Sequence, residues 1–117
     1  MNARESGPPQ LDINVAYLSS SIVVTVTGEI DMSTAAQLLS TLIAAIDAQR
    51  PQSLTIDIAG VSVLAAAGMT ALIQTYEYAR RQHISIGLIN PQPLVGRAIE
   101  IVGLTQFLRV SLEPTGP

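Results

Sequence analysis

One stretch, Leu54 to Tyr76 (LTIDIAGVSVLAAAGMTALIQTY), constrains the fold of this chain more than any other. It opens with LTIDI over 54–58, a β-branched, apolar run with a single acid, which predicts a buried strand. Gly60 and a short apolar bridge, Val61 to Leu64, lead to a predicted turn at Ala65-Ala66-Ala67-Gly68. Beyond it Met69, Leu72, Ile73 and Tyr76 fall at i, i+3, i+4 and i+7, one face of a helix. A strand, a small-residue turn and a helix in that order present helix N–H groups to a ligand or partner in α/β domains. The turn holds no side chain larger than a methyl and no nucleophile. Chemistry at this point therefore cannot come from its side chains.

The rest of the chain supplies elements of the same class. LDINVAYL (11–18) and SIVVTVTGEI (21–30) read as strands joined near Ser19-Ser20-Ser21, with Gly28 marking the end of the second. Asp31 or Ser33 is placed to cap a helix whose apolar stripe is Ala35, Leu38, Leu39, Leu42, Ile43 and Ile46. Arg50 closes that helix before Pro51, which cannot continue it. ISIGLIN (84–90) is a further strand, followed by Asn90-Pro91-Gln92-Pro93 as a helix start. Leu94, Val95, Ala98, Ile99 and Val102 form a third helical face, with Gly103 suited to its C-terminal cap. FLRVSL (107–112) is a last short strand. The order β-β-α-β-α-β-α-β predicts a single α/β domain over 11–112, between a disordered tail over 1–10 and a short tail over 113–117. Its sheet is mixed but mostly parallel, with helices packed on it.

Composition excludes several classes of function. With no cysteine, disulfides, thiolate metal sites and a cysteine nucleophile are all ruled out. The single histidine, His83, follows Arg80 and Arg81 at a predicted helix end and has no partner for a metal set or a catalytic triad. No glycine-rich phosphate loop occurs, so no enzyme activity and no cofactor are expected. The six basic residues are scattered arginines in a chain of net charge −3, which argues against direct nucleic-acid binding. No signal peptide is legible, and the uncharged run from Ile58 to Tyr76 is broken by Gly60, Ser62, Gly68, Thr70 and Gln74, so no membrane span is expected.

Three segments, in order, resemble the STAS domain family. GEIDMSTAAQL (28–38) is similar to its first signature, where a Gly-Glu-Leu/Ile-Asp stretch opens helix one. LTIDIAGVSVLAAAGMTALIQTYEYARRQ (54–82) is similar to the second, in which a strand leads through Asp-Ser-Ser-Gly into an apolar helix. VGRAIEIVGLTQFLRV (95–110) resembles the closing helix, Gly-Leu pair and strand. Gly28, Glu29, Asp31 and Gly68 match the motifs, whereas the acid, the serine and the phosphoacceptor of the turn fall on Ala65, Ala66 and Ala67.

The resemblance implies a cytoplasmic regulatory module of the anti-sigma factor antagonist type, working by stoichiometric binding, as a monomer or weak dimer. Its partner would be an anti-sigma factor, often a serine kinase. Its docking surface would comprise Asp31, Met32, Ser33 and Thr34 together with Ala65, Ala66, Ala67, Gly68 and Met69. A scaffold, or a nucleotide- or small-ligand-sensing module in another signalling complex, is the alternative. Phosphorylation at the usual position is not expected, because the methyl of Ala67 cannot accept a phosphoryl group. Ser62 and Thr70 are nearby hydroxyls off the motif position. Asp57, near the end of the predicted central strand, is expected to bond loop amides.

Overall fold

The computed structural model describes residues 11–103 and 109–111. The predicted tails, and Phe107, Leu108 and Leu112 of the predicted last strand, lie outside the described residues. Eight elements follow in the expected order: β1 (Leu11–Leu18), β2 (Ser21–Ile30), α1 (Ala35–Gln49), β3 (Ser53–Leu64), α2 (Ala66–Arg81), β4 (Ser85–Ile89), α3 (Pro93–Ile101) and β5 (Arg109–Ser111). The strands form one sheet in the order β1-β2-β3-β4-β5. β1 pairs with β2 antiparallel, and every later pair is parallel.

Strand periodicity explains the core. Ile22, Leu54 and Ile86 lie in one cross-strand row and Val24, Ile56 and Leu88 in the next, all buried on a single face. The facing helices contribute Leu38, Leu42 and Ile46 from α1, Met69, Leu72 and Ala79 from α2, and Val95 and Ile99 from α3, all in the same apolar cluster. The other face of the rows carries Thr25, Asp57 and Thr55, which keep contact with solvent. At roughly 25 cal/mol per Å², burial on that one face is the main stabilising term.

Two expectations are corrected. Gly28 does not end β2, which passes through it at φ 121° and runs on to Ile30. Register shifts fall on either side of it, between Thr25 and Thr27 and between Gly28 and Glu29, so the glycine sits in a bulged segment where an L-residue would be strained. Likewise the bridge 61–64 and the four-residue turn do not exist as such. β3 is continuous to Leu64, and only Ala65 separates it from α2. Strand pairing with β2 captures the bridge, because Val61 and Leu64 are buried opposite Gly28 and Ile30.

The helix ends follow local chemistry. Arg50 adopts the left-handed conformation at φ 45°, ψ 60° as the cap of α1. α2 closes with Ile84 N–H donating to Ala79 C=O at 2.9 Å and His83 N–H to Arg80 C=O at 3.0 Å. That is the Schellman pattern, with exposed His83 at φ 61° where glycine is usual. Gly103, at φ 74°, serves the same role after α3.

Candidate functional site

Both sequence-predicted segments arrive at the same end of the sheet. β4 pairs with β3 only as far as Asp57, while β2 and β3 stay paired to Ile30 and Leu64. The β2–α1 loop and the start of α2 thus sit side by side at the carboxyl ends of two parallel strands, where α/β sheets present ligand and partner sites. A hydrogen bond from Ala65 N–H to Ile30 C=O, 2.9 Å, ties them together.

The β2–α1 loop is built by its own polar side chains. Asp31 Oδ1 accepts from Ser33 N–H at 2.9 Å and from the Ser33 hydroxyl at 2.8 Å. The Ser33 hydroxyl and then the Ser33 amide hold the Asp31 carboxyl below its ordinary value. Thr34, 1% exposed, donates its hydroxyl to Glu29 C=O at 2.8 Å and accepts from Asp31 N–H at 2.9 Å. The N-cap position of α1 is Thr34, and no side chain caps it, so the assignment to Asp31 or Ser33 is corrected. The two Ser33 bonds to the Asp31 carboxylate close the loop. Met32 is pushed outward between Asp31 and Ser33 and is 86% exposed.

α2 begins without a capping side chain, since Ala65 occupies the N-cap position. Ala66 is exposed and Ala65 and Ala67 are half-buried, so methyl groups and backbone form this surface. Gly68 lies beneath it, pressed on β2 and β3: a Cβ there would stand 2.4 Å from Ile30 Cγ2 and 2.8 Å from Leu64 Cδ1. Met69 is buried beside it. Among the nine predicted residues, Asp31, Met32, Ser33, Ala65, Ala66 and Ala67 reach solvent, while Thr34, Gly68 and Met69 support them from below.

The hydroxyls of Ser62 and Thr70 belong to exposed residues, one on β3 and one in α2. Asp57 lies inside β3 rather than at its end, where its Oδ1 accepts Ala59 N–H at 3.0 Å and the Asn90 side-chain amide at 3.3 Å. Gln92 takes up Ala59 C=O at 2.9 Å, beyond the reach of β4. Sequence reasoning missed Val63, 42% exposed and paired with Glu29 beside the site. Its signal was the bulge glycine, which resets the in–out alternation after Val61. Among the described residues no group of three or more His, Asp or Glu is arranged to hold a metal ion, and no helix is long and apolar enough to cross a membrane.

Comparison with known proteins places this arrangement. The model of the STAS domain matches residues 12–115. An anti-sigma-F factor antagonist, RsfB of Mycobacterium tuberculosis, is 30% identical over 105 residues, spanning 90% of this chain and 84% of the relative. The crystal structure of an anti-sigma factor antagonist from Mycobacterium paratuberculosis superposes with a TM-score of 0.80 at 30% identity, covering 92% of this chain and 90% of that one. The anti-sigma factor antagonist SpoIIAA in its unphosphorylated form shares the fold, with a TM-score of 0.73 at 16% identity over 87% of this chain and 90% of its own. Matched along nearly its whole length by sequence and by fold, this chain belongs to the STAS domain family.

Proposed function

We propose that this chain is an anti-sigma factor antagonist, a binding module that sequesters an anti-sigma factor and so promotes sigma-dependent transcription in the cytoplasm. The observation that carries the reading is the 30% identity, over nine-tenths of the chain, to a protein named for that activity. The docking surface is the paired end of β2 and β3: Asp31, Met32 and Ser33 beside Ala65, Ala66 and Ala67. Thr34, Gly68 and Met69 hold its shape. Met32 supplies a flexible apolar contact, the kind of side chain that adapts to a partner surface. The module works by stoichiometric binding and takes no part in catalysis.

Its regulation departs from a phosphorylation switch. With alanine at 65, 66 and 67, the first turn of α2 carries no hydroxyl, and a kinase partner finds no acceptor there. Occupancy of the partner is then set by concentration or by another input rather than by addition of about −1.5 to −2 charges at the helix start. The test is a pull-down from lysate of the source organism with and without ATP, followed by mass spectrometry of bait and bound proteins. Capture of an anti-sigma factor, unaffected by ATP and with no phosphate on the bait, is the expected result. Loss of capture with ATP and a phosphate on Ser62 or Thr70 would move the switch to that residue. Absence of any anti-sigma factor under both conditions would overturn the function. With the partner in hand, Ala67→Asp is expected to weaken binding at least about tenfold by placing a desolvated charge in the contact. Unchanged affinity would remove the α2 start from the interface.

A further inference from the structure

Sheet edges resist further pairing through short strands, through charged side chains or proline, or through bulges. β1 has none of those protections. It runs for eight residues in unbroken register with β2, without proline, lysine, arginine or bulge, and its sole charge is Asp12 near one end. Tyr17 and Leu18 are 53% and 51% exposed, and among the described residues no strand lies along the outer edge. On the helix-facing side, Val15 and Tyr17 line an open groove with Thr41, Ala44 and Ala48 of α1, none of them charged.

We infer that β1 pairs with β1 of a second copy of this chain, antiparallel about a twofold axis at Val15, joining the two sheets into one. An exposed strand edge offers backbone donors and acceptors that only another strand satisfies as a row, and this strand is complementary to itself. About Val15, Ile13 faces the partner's Tyr17, an aromatic–β-branched pair of the stabilising kind. Asn14 faces the partner's Ala16, and Asp12 faces the partner's Leu18. The two Asp12 carboxylates end about 20 Å apart along the strands, beyond the screening length of about 8 Å in physiological salt. A register about Asn14 would leave Leu18 outside the paired span. The dyad also brings the two α1 helices together antiparallel along Thr41, Ala44 and Ala48, whose small, uncharged side chains admit close approach. This surface is separate from the β2–β3 end that carries the docking site, so a dimer presents two such sites.

The chain contains no cysteine, so an introduced one can bridge only between copies. Val15→Cys puts two thiols opposite one another on the dyad, at cross-strand spacing close to that of a disulfide. Asp12→Cys puts them far apart. Sedimentation velocity of the wild-type chain, from micromolar to hundreds of micromolar, is expected to show a concentration-dependent dimer. Under mild oxidation Val15→Cys is expected to cross-link at least about tenfold faster than Asp12→Cys, given the separations of the two pairs. The double variant Asn14→Lys/Ala16→Lys changes two exposed positions and sets lysine opposite lysine across the dyad. It is expected to stay folded by circular dichroism and to sediment as a monomer. A wild-type monomer throughout the series overturns the inference. So does a dimer that survives both lysines, or one in which Asp12→Cys cross-links as readily as Val15→Cys.

Discussion

Single residues in this protein are held by backbone geometry as much as by side-chain chemistry. Gly68 is the clearest case, because its missing Cβ lets the first turn of α2 rest on Ile30 and Leu64. Alanine is the better helix former by about 1 kcal/mol, yet overpacking against β-sheet side chains typically costs about 1–3 kcal/mol. Gly68→Ala is therefore expected to be destabilising, and a lowered midpoint in urea denaturation would show it. His83 presents the opposite case. Its left-handed conformation is imposed by the end of α2, and it pays a steric cost that glycine avoids. His83→Gly is expected to raise stability by about 0.5–1 kcal/mol, measured by the same titration. An unchanged or lowered midpoint would mean that the exposed imidazole makes a contact worth that strain.

At the scale of the element, the β2–α1 loop gathers its rigidity from one carboxylate. Asp31 accepts both Ser33 donors more strongly when ionised, and its folded-state pKa lies below the ordinary 3.8 for that reason. A depressed carboxylate pKa contributes stability that is present above the unfolded value and is lost as pH falls through the folded one. Asp31→Ala is accordingly expected to flatten the acid limb of the stability–pH curve below 3.8 while changing little of its slope at neutral pH. Denaturation midpoints of both proteins across that range check it, and parallel curves would show that Ser33 does not depend on the carboxylate. The α1 and α2 helices have a comparable polar link where Tyr78 donates its hydroxyl to Asp47, a bond that holds the Tyr78 proton and raises its pKa. Both links lie at solvent-exposed positions, so they orient elements that the core has already brought together.

For the whole molecule the relevant fact is that one apolar cluster contains residues from β1 to β4 and from all three helices. No helix has a core of its own, so none should unfold alone. Ile56, fully buried in the central strand, is the test. Ile56→Ala is expected to cost about 2–5 kcal/mol and to move the transitions followed by far-UV circular dichroism and by tyrosine fluorescence together. Separated transitions would indicate a subdomain. The proposed partner site stands at one end of this core and the open β1 edge along its side, so binding at either need not disturb the other.

The family resemblance picked out the two segments of the candidate site. Local pattern settled the order of elements, the αβ crossovers and the apolar stripes of α1 and α2, while on α3 it wrongly included Leu94 and Val102, 79% and 54% exposed. What was settled is a matter of side-chain periodicity or of a few spaced residues, which neighbours in sequence can specify. What local pattern misplaced were ends and edges. The continuation of β2 past Gly28, of β3 past Gly60, and the use of Thr34 rather than Asp31 or Ser33 at the start of α1 depend on pairing across strands and on which amide a side chain finds in space. The exposure of Met32 and Val63 and the burial of Thr34 likewise follow from what packs against them. Periodicity is a property of the chain, but hydrogen-bond partners and solvent exposure belong to the folded surface, and only the tertiary structure could decide them.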